Sequence, residues 1–229
     1  TAMYFIEGIG VEINLKESLN YFKMAADKGD ALAMNNYGMM VFNGQGTEPN
    51  REEALKYLKM AADEGYSDSM YSYSSILGLE KGNEVESLEY LKISADNGYI
   101  IAINEYSMKL LNGDGIERDI DEAMKYAKIG VEMGDRDSIV YYSLMLLISR
   151  NDDYFKYFMM AFDGGNTEGI DILASFIYKD ENEFKKHRDD LILFFKKEAE
   201  DGNADAMFTL AEILSKDEDI KTNENKFNE

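Results

Sequence analysis

The sequence predicts an all-α solenoid built from about six to seven helix–turn–helix repeats. Three observations support this fold class. A helical segment that ends in glycine recurs along the chain, a second apolar helical pattern precedes each copy, and Pro49 is the only proline. Because proline inside a helix costs about 3 kcal/mol, its scarcity is typical of a chain that is almost entirely helical.

The recurring segment is clearest in ALKYLKMAADEG, Ala54 to Gly65. Its apolar residues lie three, four and seven positions apart, which predicts an amphipathic helix that ends at Gly65. The copies end 31 to 37 residues apart, at Gly29, Gly65, Gly98, Gly134, Gly165 and Gly202. A period between roughly 20 and 50 residues indicates a solenoid or another repeat array.

The helix that precedes each copy opens with a small residue and has an aliphatic one near its end, as Ala33 and Val41 show in Ala33 to Phe42. A small residue also lies near the middle of each, so we expect the two helices of a hairpin to approach closely there. These residues are Gly38, Ser74, Ser107, Ser143, Ala174 and Ala211.

A GxG sequence joins the two helices in the first, second and fourth units. It is formed by Gly8 and Gly10, by Gly44 and Gly46, and by Gly113 and Gly115. A phosphate-binding loop is disfavoured because no GK[ST] follows and no strand precedes. The pattern therefore predicts tight turns.

The order of these motifs resembles the Sel1-like repeat, a relative of the tetratricopeptide repeat. The second unit carries the resemblance through Tyr37, Gly38, Gly44, Gly46, Ala54, Tyr57, Lys59, Ala61, Ala62 and Gly65, and the fourth through Tyr106, Gly113, Gly115, Ala123, Tyr126 and Gly134. The third, fifth and sixth units lack the GxG turn, and Tyr154 and Leu191 replace a small residue, so we expect wider or shifted hairpins there. The resemblance implies a right-handed superhelix whose first helices line a concave face.

Alignment on the glycines divides the predicted solenoid, residues 1–215, into units. They are approximately 1–32, 33–68, 69–101, 102–137, 138–168, 169–205 and a partial 206–215. Residues 216–229 are too polar to bury a face, so we expect a disordered tail.

Composition excludes several functions. The chain has 24 basic and 45 acidic residues, a net charge of −21, which disfavours nucleic acid and anionic membrane surfaces. No apolar run approaches the roughly 18 residues that a membrane helix needs. The absence of cysteine favours a cytoplasmic location, and a signal peptide preceding Thr1 is left open.

No catalytic, metal or cofactor motif is present in the sequence, so we expect no enzyme activity. His187 is the only histidine and lies in a charged stretch, where we expect it to be exposed and not to bind zinc. The tyrosines at one repeated position are predicted to pack between helices. They are Tyr21, Tyr57, Tyr90, Tyr126 and Tyr157.

The resemblance implies a scaffold or adaptor that binds another protein on the first helices. One variable column is Asn36, Ser72, Glu105, Tyr141 and Ile172, and a second is Met40, Ile76, Lys109, Met145 and Phe176. Residues four apart share a helix face, so the columns predict a groove, although the second could instead pack between repeats. The negative charge favours a basic or amphipathic protein segment as the partner. A host-directed secreted factor and a regulatory segment joined to an enzyme domain are the alternatives.

Overall fold

The computed structural model describes residues 14–163, 181–204 and 206–215. The chain divides into two compact units, Thr1–Met145 and Leu146–Glu229, which we call the N-terminal unit and the C-terminal unit. All regular secondary structure in the described residues is helical, which confirms the all-α prediction.

Each repeat of the N-terminal unit has a first helix and, after a turn, a second helix that ends near the repeat's terminal glycine, so first and second helices alternate along the chain. The second helices are α1 (Leu15–Ala26), α3 (Arg51–Asp63), α5 (Glu84–Asp96) and α7 (Ile120–Glu132). The first helices are α2 (Ala31–Asn43), α4 (Ser67–Leu77), α6 (Ile100–Asn112) and α8 (Arg136–Ile148), whose last residues pass the unit boundary. Each successive pair of helices from α1 to α7 packs together, and α2 also contacts α4. This nearest-neighbour packing is that of a helical-repeat solenoid.

The first helices begin two residues before the unit boundaries inferred from the sequence. A single residue separates each terminal glycine from the next helix and occupies its N-cap position, where Tyr66 and Tyr99 make no side-chain cap bond but the two aspartates do. The Asp30 carboxylate accepts the backbone N–H of Ala33 at 2.8 Å, and Asp135 accepts that of Ser138 at 2.8 Å. In these two helices the cap satisfies a backbone donor in the first turn.

Both described GxG sequences form turns, as predicted. Gly44 and Gly46 have φ angles of 69° and 83°, in the left-handed region that favours glycine. A Cβ on Gly46 would lie 2.6 Å from the backbone oxygen of Leu15, so this turn rests on the first residue of α1. Gly8 and Gly10 lie outside the described residues.

The small residues at the middle of the first helices allow close approach. A Cβ on Gly38 would lie 2.8 Å from Cγ of Leu58, and Ser74, Ser107 and Ser143 are buried. Ala211 differs from this expectation because it is exposed; within the described residues, no second helix follows it. Ala174 lies outside the described residues.

The C-terminal unit contains α9 (Tyr154–Asp163), α10 (Glu181–Glu200) and a helical stretch at 206–215. Tyr154 and Leu191 are buried where the motif has a small residue, beside a core that includes Phe158. The prediction of an exposed His187 is wrong. Its ring is half-buried and stacks on Phe155 with 3.6 Å between ring centroids, because α10 lays it against α9.

Candidate functional site

Tyrosines at the repeated position join successive repeats in the N-terminal unit. The hydroxyl of Tyr57 donates to Asp27 at 2.7 Å, and that of Tyr126 donates to Asp96 at 2.6 Å. Burial, together with the bonded carboxylate, raises the pKa of each phenol to about 12. These residues pack between helices, as predicted. Tyr21, on α1, is 41% exposed, and the residues before 14 lie outside the described part of the chain.

Lysine side chains also link successive repeats. Lys59 Nζ lies 3.2 Å from a Glu86 oxygen and 5.0 Å from the centre of the Tyr73 ring, which also donates to Glu86. The hydrogen bond from Tyr73 and the bond from Lys59 lower the pKa of the Glu86 carboxyl. Lys23 makes the same contacts one repeat earlier. These joints fix the spacing between repeats, so residues at equivalent positions on the first helices lie in register.

The first helices of the N-terminal unit leave one face uncovered, which we call the first-helix face. It consists of three columns of exposed or partly exposed residues: Leu32, Asp68, Ile101 and Asp137; Asn36, Ser72, Glu105 and Tyr141; and Met39, Ser75, Met108 and Leu144. The columns are four and three residues apart along each helix, a spacing that puts them on one side.

The predicted groove residues divide between this face and the core. Asn36, Ser72, Glu105 and Tyr141 lie on the face. Met40, Ile76 and Met145 are buried in the core, where a partner cannot reach them, so the packing alternative holds for these three. Lys109 is partly exposed, with Nζ 3.8 Å from a Glu105 oxygen. Ile172 and Phe176 lie outside the described residues.

The sequence interpretation missed the column of Met39, Ser75, Met108 and Leu144. A signal for it was present. The neighbouring column, Met40, Ile76, Lys109 and Met145, is apolar at three of its four positions, as a core requires. The missed column instead mixes methionine, serine and leucine.

The first-helix face carries little charge. From Ala31 to Met145, the first helices contain only Asp68, Glu105, Lys109, Arg136 and Asp137 as charged residues. Leu32 and Ile101 are 49% and 47% exposed, and the rings of Tyr71 and Tyr99 lie 5.5 Å apart at its edge. Burial, with Asp137 nearby, raises the pKa of Tyr141, so this phenol stays neutral. Of the twelve residues in the three columns, nine are uncharged, and the three charged ones, Asp68, Glu105 and Asp137, are all acidic.

The described part of the chain holds no cluster of histidine and carboxylate side chains arranged for a metal ion. Nor does a helix within it combine the length and the apolarity that a membrane crossing requires.

A family model, the Sel1 repeat, matches residues 1–30, 31–66, 67–99 and 100–135, which is more than half of the chain. The chain belongs to the Sel1 repeat family. Three of the matched repeats begin at the first residues of α2, α4 and α6. Sel1 repeat proteins are generally helical scaffolds for protein interaction, and they are typically not enzymes.

Solved structures share the fold at low sequence identity. The Sel1 repeat protein from Oxalobacter formigenes is 22% identical, with a TM-score of 0.67 over 82% of this chain and 83% of that one. A protective antigen of uropathogenic Escherichia coli strains, which displays an SLR fold, is 19% identical, with a TM-score of 0.76 over 93% of this chain. The match spans about half of that antigen, 47%. No curated protein matches the sequence significantly.

Proposed function

We propose that this Sel1 repeat protein is a non-enzymatic scaffold that binds an amphipathic segment of another protein on the first-helix face. The observation that carries the proposal is the set of three uncovered columns, held in register by the tyrosine joints. A partner that crosses several repeats gains a small contact from each, which is the way that solenoids bind extended ligands.

The face alternates in character from repeat to repeat. The second repeat presents Leu32 and Met39, and the fourth presents Ile101 and Met108 at the same positions. Between them, the third repeat presents polar side chains, among them Ser75. A segment with two apolar clusters separated by a polar stretch would match this order, since each cluster buries exposed apolar surface.

Polar groups on the face are available to the backbone of such a segment. Within the described residues, the side chains of Asn36 and Ser72 have no hydrogen-bond partner. An asparagine amide both donates and accepts, so it can pair with the N–H and C=O of an extended peptide. Asn104 is occupied instead, because it donates to Asp135 and accepts from the Ser138 hydroxyl at 2.6 Å.

Site-specific photo-cross-linking tests the proposal in cells. A benzophenone side chain is placed at Met39, Ser75 or Met108 in three separate variants, and at the exposed second-helix residues Lys56 and Lys125 as controls. We expect the three face positions to capture the same partner, with cross-links to different parts of one segment in the order of the repeats.

The controls decide the outcome. Cross-links from Lys56 and Lys125 to the same partner at equal yield would show that binding does not use the first-helix face. Capture of unrelated proteins at each face position would also contradict a single bound segment.

A further inference from the structure

A pocket lies between the turns of the third and fourth repeats, away from the three columns of the first-helix face. Its volume is about 310 Å³, and its lining comprises Gly78, Glu84, Ser87, Leu88, Lys109, Asp114 and Gly115. These residues come from the end of α4, the start of α5, and the region where α6 turns towards α7.

The pocket arises from a departure in the repeat. The third repeat has residues 78–83 between its helices, one residue fewer than 44–50 in the second and 113–119 in the fourth. A Cβ on Gly46 would lie 2.6 Å from the start of the preceding second helix, whereas one on the equivalent Gly115 would meet nothing within 4 Å. The fourth turn therefore stands off α5, and the pocket occupies the space.

Two exposed apolar residues are next to lining residues in the sequence. Leu79 follows Gly78 and is 69% exposed, and Val85 follows Glu84 and is 83% exposed. They are the most exposed large apolar residues among the described part of the N-terminal unit. A site that pairs a pocket with uncovered apolar groups can bury both when a ligand binds.

The charge of the lining favours a cation. Glu84 accepts the N–H of Gly82 at 2.8 Å, and Asp114 accepts from Asn112 at 3.5 Å, so each carboxylate keeps a further oxygen free of hydrogen bonds in the described residues. Neither has an ion-pair partner within that part of the chain. The ammonium of Lys109 is 3.8 Å from a Glu105 carboxylate, which offsets its charge.

We propose that this pocket receives an arginine side chain, flanked by apolar residues, from a partner protein. A guanidinium has five donors in a planar fork and stays charged, so it can bond both Glu84 and Asp114 while its apolar neighbours cover Leu79 and Val85. The site is independent of the proposed function, since no residue of the three columns lines the pocket.

Backbone amide shifts in NMR spectra test this with the tripeptide acetyl-Leu-Arg-Leu-amide as the probe. We expect saturable shifts concentrated at Gly78, Gly82 and Gly115. The same tripeptide with citrulline, a neutral isostere of arginine, should bind about tenfold more weakly or not at all, because it forms neutral hydrogen bonds in place of stronger charge-assisted ones.

Protein variants complete the test. Glu84→Gln with Asp114→Asn should lower the affinity for the arginine tripeptide about tenfold or more. The matched control, Glu52→Gln with Asp121→Asn, changes two exposed carboxylates elsewhere and should leave the affinity unchanged. Equal binding of the citrulline tripeptide, or equal losses in both variants, would overturn the proposal. Leu32→Asp changes the first-helix face and should not change tripeptide binding. Failure of the pocket proposal can therefore be distinguished from failure of the proposed function.

Discussion

Alanine substitutions at Gly46 and Gly115 can be compared to measure how much the packing of a turn on the neighbouring repeat contributes to stability. Both residues occupy the same place in their GxG turns, with φ angles of 83° and 74°. A Cβ on Gly46 would lie 2.6 Å from the Leu15 oxygen and 2.9 Å from the Lys16 nitrogen, whereas one on Gly115 would meet nothing within 4 Å. Alanine therefore has the same unfavourable backbone conformation at both positions, but only at Gly46 would its Cβ also clash with α1.

The magnitudes follow from those two terms. A left-handed alanine costs about 1–2 kcal/mol in either variant. Overpacking at Gly46 adds about 1–3 kcal/mol, because the obstructing atoms are backbone and α1 must shift. Gly46→Ala should thus destabilise the protein by about 2–5 kcal/mol and Gly115→Ala by about 1–2 kcal/mol.

Urea unfolding followed by far-ultraviolet circular dichroism measures both variants. We expect a clearly lower midpoint for Gly46→Ala than for Gly115→Ala, with similar slopes. Equal destabilisation would refute the packing of the second turn on α1. It would also remove the comparison that explains the pocket beside Gly115.

Three further predictions concern the joints and the binding face. Tyr126→Phe removes the 2.6 Å bond to Asp96 and should lower the free energy of unfolding by about 1 kcal/mol in urea titrations; an unchanged value would show that the bond is dispensable. The folded-state pKa of about 12 for Tyr57 and Tyr126 lies above the ordinary value of 10.0, so between these pH values the folded state keeps protons that the unfolded state has lost. Stability should therefore fall as the pH rises through this range, and a flat profile from unfolding at successive pH values would contradict it. Because nine of the twelve column residues are uncharged, partner affinity measured by calorimetry should change less than about threefold between low and high salt, and a steep fall would show that the acidic residues of the face dominate binding.

The repeat architecture could be predicted because it depends on residues whose physical roles are local. Glycine ends a helix wherever a left-handed residue is needed, and alanine or serine permits close helix packing. Gly65 and Gly38 fulfil these roles in the structure as the sequence indicates. The helices start two residues earlier than inferred because only one N-cap residue, such as Asp30 or Tyr66, follows each terminal glycine.

The exact position of the binding face was harder to predict. Residues three and four positions after Asn36 are both methionine, and a helix of 3.6 residues per turn can direct either one outward. Packing against neighbouring helices decides the choice: it buries Met40 and leaves Met39 partly exposed.

The location of charge on the surface and the stacking of aromatic rings depend on how distant parts of the sequence pack together. The net charge of −21 is a property of the whole chain and does not show which face is acidic. His187 and Phe155 are far apart in the sequence, and only the packing of α10 on α9 stacks their rings. The shortened third turn is visible in the sequence, but the pocket beside it follows from the position of the next turn.

The central claim is that the first-helix face binds the partner, and the affinity of two double variants tests it most directly. Leu32→Asp with Ile101→Asp places charge on the face at residues that are 49% and 47% exposed. Met24→Asp with Met60→Asp does the same on second helices at residues that are 58% and 40% exposed. With the cross-linked partner segment as ligand, we predict a loss of about tenfold or more for the first pair and little change for the second. Equal affinities for the two variants, with both still folded, would contradict the claim.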